Sequence, residues 1–127
     1  MEFRDNEAIY LQIASYVGER IILGQWPEEQ KIPSVRDLAV DLQVNPNTVV
    51  RAYEFLQTRE VIINKRGIGF FAAADAKSKI KDYSKERFLG QELPELFKKI
   101  YLLDISIGEI ERLYTLYIAE NYQTKSE

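Results

Sequence analysis

The stretch Pro33-Ser34-Val35-Arg36-Asp37-Leu38-Ala39-Val40-Asp41-Leu42-Gln43-Val44-Asn45-Pro46-Asn47-Thr48-Val49-Val50-Arg51-Ala52-Tyr53 decides the fold of this chain. Ser34 followed three residues later by Asp37 is the pattern of a capping box. The short helix it opens has Val35, Leu38, Ala39 and Leu42 on its apolar side. Gln43-Val44-Asn45 leaves room only for a tight turn, and Asn45-Pro46 then sets a capping side chain before a proline at the first helical position. A helix of about eight residues, a turn of three or four and a helix of about fourteen make the helix-turn-helix layout.

The flanks add to that motif. Val61-Ile62-Ile63 and Phe70-Phe71-Ala72 are short strand-like runs separated by Asn64-Lys65-Arg66-Gly67-Ile68-Gly69. A hairpin with a basic, glycine-containing tip directly after the third helix is a wing. Upstream, a first helix is expected to open near Asp5 or Asn6, with Glu7 in its first turn, and to close at Gly24. Ile9, Ile13, Tyr16, Val17 and Ile21 give it one apolar stripe, and Pro27 and Pro33 keep the following connection out of a helix.

From Asp75 onward Lys77, Lys79, Lys81 and Lys85 interrupt the apolar pattern, as in a solvated helix or linker. Periodicity then returns with Leu93, Leu96, Phe97, Ile100 and Leu103. Ser106 and Glu109 form another capping box, ahead of Ile107, Ile110, Leu113, Tyr114, Tyr117 and Ile118. The tail from Gln123 is polar and expected to fray. The expected fold is mainly α with a small β-wing (α+β). Residues 1-74 form a winged helix-turn-helix DNA-binding domain, 75-90 a linker helix, and 91-127 a short C-terminal helical segment. Two short amphipathic helices cannot each bury an apolar face alone, which suits a dimer interface; packing on the first helix of the same chain is the alternative.

Composition narrows the function. The chain has 127 residues, with no Cys and no His, and its 17 Lys and Arg against 20 Asp and Glu give a net charge of -3. Thiolate and imidazole chemistry and a Cys/His zinc site are thereby excluded. No acid/base constellation with plausible spacing stands out, so no enzyme, metal or cofactor is expected. The absence of Cys fits a reducing compartment, and no apolar run is long enough for a signal core or a membrane span, so a cytoplasmic protein is expected. Net acidity argues against coating nucleic acid by bulk electrostatics. Residues 34 to 73 hold one cation in excess, so a nucleic-acid role rests on where the cations stand.

At about 100° per residue, Val49, Ala52, Tyr53 and Leu56 form the core side of the third helix. Asn47, Arg51, Glu54 and Thr58 face away. The N-terminal residues of such a helix lie nearest the base edges in the major groove. Asn47 and Arg51 suit adenine and guanine edges respectively, while the Thr48 hydroxyl can reach a phosphate and Val50 a thymine methyl. Arg36, with the N–H groups at the start of the second helix, can hold a phosphate. Lys65 and Arg66 are placed to enter a minor groove where Gly67 lets the backbone approach.

Plainer roles exist for each. Asn47 and Arg51 can form an ordinary solvated face, Arg36 an ion pair with Asp37 or Asp41, and Lys65 and Arg66 a hydrophilic turn. Ser34 and Asn45 suit capping better than ligand contact. The Lys77 to Lys85 run suits a solvated face. Tyr101, Tyr114, Tyr117 and Tyr122 can line a cavity or fill a core, so no effector site is evident.

Ile32-Pro33-Ser34-Val35-Arg36-Asp37-Leu38-Ala39, then Val44-Asn45-Pro46-Asn47-Thr48-Val49-Val50-Arg51-Ala52-Tyr53, then the Gly67 wing, resemble the GntR family of bacterial transcription regulators. Ile9-Tyr10-Leu11-Gln12-Ile13 resembles its first helix. The Asn-Pro-Asn-Thr-Val turn and the short C-terminal part look like the YtrA-like subfamily. The resemblance implies a homodimer that binds double-stranded operator DNA and, as such regulators usually do, represses a nearby operon, often one for a transporter; two-fold symmetry then predicts a palindromic operator with half-sites about one or two helical turns apart. It places the family's second-helix arginine on Arg36 and its wing glycine on Gly67. Many members carry Arg before the third helix and directly after Thr-Val, where this chain has Pro46 and Val50, with Arg51 one step later. The competing function is a winged-helix module for protein contacts without sequence-specific DNA binding.

Overall fold

The computed structural model describes residues 1–4 and 7–122. They form α1 (Ile9–Ile22), α2 (Val35–Leu42), α3 (Pro46–Thr58), β1 (Ile62–Lys65), β2 (Gly69–Ala72), α4 (Ala76–Arg87), α5 (Leu93–Leu102) and α6 (Ile107–Asn121). A single π turn, Phe88–Glu92, stands between α4 and α5. The mainly helical chain with one two-stranded antiparallel sheet is the expected fold class. Among the described residues no helix is long and apolar enough to cross a membrane.

The chain divides into two compact units, the first Met1–Glu86 and the second beginning at Arg87. In the first, α1, α2 and α3 enclose one core. Ile13, Val17 and Ile21 of the expected α1 stripe are buried, with Tyr16 half-buried, while Ile9 at the helix start is exposed. The opening expected at Asp5 or Asn6 lies outside the described residues. The helix itself starts at Ile9 after Ala8, which supplies no side-chain cap. Its end is the expected one: Gly24 takes φ +79°, and the N–H of Gln25 donates to the Arg20 carbonyl at 2.9 Å. Gln12 is buried although it is polar. Its carboxamide accepts from the Arg4 N–H and donates to the carbonyls of Arg4 and Glu7, each at 2.8 Å, which fastens the N-terminal segment to α1.

Both proposed caps in the motif form. Ser34 Oγ accepts from the Asp37 N–H at 3.1 Å and Asn45 Oδ1 from the Asn47 N–H at 2.8 Å. Between them Gln43 takes φ +58°, and the Val44 N–H closes back on the Ala39 carbonyl at 3.0 Å. α2 and α3 thus meet through three residues.

The hairpin pairs Ile62 with Ala72, Ile63 with Phe71, Asn64 with Phe70 and Lys65 with Gly69. Its strands run further toward the tip than Val61–Ile63 and Phe70–Ala72, because the turn needs only three residues and Ile68 N–H reaches the Lys65 carbonyl at 2.8 Å. The connection after α1 adds a short third edge. Lys31 bridges Phe71, the Ala72 N–H donates to the Gln30 carbonyl at 3.0 Å, and the Ile32 N–H to the Phe70 carbonyl at 2.9 Å.

α4 carries exposed Lys77, Lys81 and Lys85, as a solvated helix should, yet it also buries Ala76 and Ile80. Ile80 sits against Gly18 so closely that a Cβ there would lie 2.5 Å from Ile80 Cγ1. Lys79 is tied to Glu60 at 2.8 Å and Asp75 at 3.5 Å, and the Glu60 hydrogen bond raises its pKa above the ordinary lysine value.

Tyr53 joins three parts of this unit. Its hydroxyl donates to the Pro33 carbonyl at 2.7 Å, and its ring meets Phe70 of the wing edge-on at 4.9 Å. Burial pushes the hydroxyl well above tyrosine's ordinary pKa of 10.0. The folded chain therefore holds this proton more tightly than the unfolded chain does. That contribution is complete below about pH 10 and is lost as the pH rises beyond it. Tyr53→Phe should cost about 1 kcal/mol at neutral pH by leaving the Pro33 carbonyl unpaired. In denaturant melts its stability should also fall less steeply than wild type's above about pH 10; parallel pH profiles would contradict the assignment.

Candidate nucleic-acid interface

Four residues of α3 are withdrawn into the core: Val49, Ala52, Tyr53 and Leu56. Helical geometry then forces the opposite side outward, and Asn47, Arg51, Glu54 and Thr58 are exposed as expected. Asn47 and Arg51 are one turn apart on that face. Thr48 is half-buried beside it and Val50 is exposed. Thr58 turns its hydroxyl back to the Glu54 carbonyl at 2.9 Å.

The first turn of α3 and the start of α1 border one open depression, lined by Tyr10, Asn45, Asn47, Thr48 and Arg51 together with Ala8 and Ile9. Four of the expected site residues are thereby brought together. Arg36 and the wing residues Lys65, Arg66 and Gly67 do not line it. Ser34 and Asn45 use their side-chain oxygens as caps. The amide nitrogen of Asn45 remains a donor.

Among the described residues Arg36, Arg51 and Arg66 form no ion pair, so the pairing of Arg36 with Asp37 or Asp41 is not realised. Lys79 and Arg112, by contrast, have carboxylates within 4 Å. Arg51 instead lays its guanidinium over the Tyr10 ring at 4.1 Å from the centroid. A guanidinium with no carboxylate partner keeps its positive field directed outward, which is what an anionic ligand meets.

On the wing, Gly67 takes φ +80° with open space where a Cβ would be, so the tip can come close to another surface. Arg66 is in the turn. Lys65 closes β1, with its ammonium 4.2 Å from the Phe71 ring centroid. Gly69 is favoured for a different reason, its φ of +139°, and the flexible end of Lys31 lies close by, with Cε 2.8 Å from where a Cβ would be. Lys31 thus packs along the wing beside Lys65's partner, a cation that the sequence places in a featureless connection. Tyr10 is the other residue of this surface that the sequence did not single out by chemistry.

The groups offered suit double-stranded DNA. A carboxamide and a guanidinium on one exposed face can pair in two places each with adenine and guanine edges. The free N–H groups of α2's first turn, Arg36 and the wing cations suit phosphates, which position without specifying sequence.

Residues 9–72 match the family model described as bacterial regulatory proteins, gntR family. Over 109 residues the chain is 31% identical to the HTH-type transcriptional regulator YhcF of Bacillus subtilis, covering 86% of this chain and 88% of that protein. It is also 31% identical to the HTH-type transcriptional repressor YtrA of the same organism, covering 87% and 82%. Among solved structures, a GntR-family transcriptional regulator from Bacteroides thetaiotaomicron superposes with a TM-score of 0.71 at 53% identity, covering 89% of this chain and 98% of that one. With the helix-turn-helix, the wing and these likenesses together, the chain belongs to the gntR family of bacterial regulatory proteins and is a DNA-binding transcription regulator rather than an enzyme.

Proposed function

We propose that the protein is a homodimeric repressor that works on operator DNA in the cytoplasm. In this reading α3 enters the major groove, with Asn47 and Arg51 reading base edges and Thr48 and Val50 beside them. Arg36, Lys65 and Arg66 hold phosphates or the neighbouring minor groove, Gly67 lets the wing tip approach, and Ser34 and Asn45 keep the two helix starts in place. The observation that carries it is the exposed face of α3, which bears Asn47 beside an Arg51 that has no ion pair among the described residues. The 31% identity to a transcriptional repressor over most of both chains supports repression.

The second unit supports dimerisation. Of the expected stripe on α5 only Ile100 is buried, and α6 has no buried residue at all. Phe97, Leu103, Ile107, Leu113, Tyr114 and Tyr117 are all exposed, and Tyr101 is 80% exposed. Apolar faces of this extent on two adjacent helices favour a like surface on a second copy. In this reading the described residues from 91 onward form the dimer interface and 1–74 the reading head, while α4, which buries Ala76 and Ile80 in the core of the first unit, belongs with the reading head up to Glu86. Two-fold symmetry in turn calls for a palindromic site with half-sites one or two helical turns apart.

Arg51→Ala should weaken binding to a duplex selected from a random library by about 10- to 100-fold, with little change on random-sequence duplex of equal length. Arg66→Ala should weaken both alike and lower the slope of log affinity against log salt by about one. Equal losses on both duplexes for Arg51→Ala, measured by fluorescence anisotropy, would contradict base readout. Leu113→Glu should halve the mass in sedimentation equilibrium while leaving the helix-turn-helix folded; an unchanged dimer would remove α6 from the interface.

A further inference from the structure

We infer that Tyr10 is a positioning residue for sequence readout, holding the Arg51 guanidinium ready for a base edge before DNA arrives. The inference rests on the assignment of Arg51 to base contact. Tyr10 lies in the first turn of α1, far in sequence from α3, yet its ring centroid is 4.1 Å from Arg51 Cζ.

The contact is useful rather than competitive. The cation is held by the face of a ring and not by a carboxylate, so no acid occupies its N–H donors. Those donors are the ones that pair with guanine O6 and N7. An ion pair with Asp or Glu would instead consume the same donors. Among the described residues Arg51 has no such pair. An exposed arginine is otherwise free in several rotamers, and that freedom is lost on binding. The ring removes part of the loss in advance.

Tyr10 is itself held. It is half-buried, and its ring meets Phe55 of α3 edge-on at 6.2 Å. Phe55 meets Tyr83 of α4 edge-on at 5.4 Å, and the Arg59 guanidinium covers both Phe55 and Tyr83, at 4.7 and 4.4 Å. Arg51 therefore rests on a platform braced by three helices of the first unit.

The test uses the full chain, the duplex that the wild type selects from a random library, and a random duplex of equal length. Tyr10→Leu should weaken the selected duplex by about two- to five-fold and leave random-duplex affinity unchanged. Tyr10→Phe, which keeps the ring, should bind as wild type. In an Arg51→Ala background Tyr10→Leu should add no further loss. Without DNA, the Arg51 side-chain proton resonances should be shifted upfield by the ring current in wild type and Tyr10→Phe, and not in Tyr10→Leu. Loss in Tyr10→Phe equal to that in Tyr10→Leu would overturn the proposal in favour of a hydroxyl contact, and additive losses in the double variant would overturn it in favour of independent roles. If Arg51→Ala is selective and Tyr10→Leu is silent, only the positioning role fails. If Arg51→Ala loses both duplexes equally, the base-readout assignment fails and the proposal with it.

Discussion

Everything that the first unit presents to a ligand depends on where α3 is held, and Tyr53 holds it. One side chain joins α3 to the carbonyl that precedes α2 and to an aromatic ring of the wing. These are the three elements whose mutual placement a winged helix-turn-helix requires. With its buried neighbours Val49, Ala52 and Leu56, it also fixes the rotation of α3 about its axis. That rotation turns Asn47 and Arg51 outward. The face proposed for readout is thus the complement of a packing face.

The two units divide the physical tasks. The first buries its apolar residues within one chain: Ile13, Leu38, Leu56, Ile62 and Ile80 are nearly inaccessible. The second leaves most of its large apolar residues exposed; among its described residues only Ile100, at 8%, is buried, with Leu93, Ile105, Ile110 and Ile118 half-buried. A unit of this kind gains most of its stabilisation only when its faces are covered. In the dimeric reading proposed above, DNA binding and association are parts of one equilibrium, which suits a regulator whose net charge of -3 leaves little general affinity for DNA.

Local chemistry made much of this legible in the sequence. Ser34, Asn45 and Ser106 announce helix starts because a side-chain oxygen must meet free N–H groups, and all three do so. The core side of α3 follows from its 3.6-residue period, and Gly67 from the turn it must make. Part of what stayed hidden is non-local. The pairing of Lys31 with Phe71 joins residues forty positions apart without strand periodicity on the Lys31 side. The stacking of Arg51 on Tyr10 depends on how α1 and α3 cross. Gln12 reads as a polar interruption of an apolar stripe until its amide is seen to satisfy Arg4 and Glu7. The π turn at Phe88–Glu92 has a local cause that periodicity alone does not reveal: Pro94, in the first turn of α5, lacks the N–H that would continue a regular helix.

The central claim is that a symmetric pair of these reading heads recognises a defined duplex through α3. Selection of bound duplexes from a random library by the purified protein tests it most directly, with affinity for the enriched site measured at two salt concentrations. The account predicts one enriched palindrome, bound far above random DNA, whose conserved half-sites lie one or two helical turns apart. Absence of any enrichment at low salt would contradict it and leave a winged-helix fold used for protein contacts.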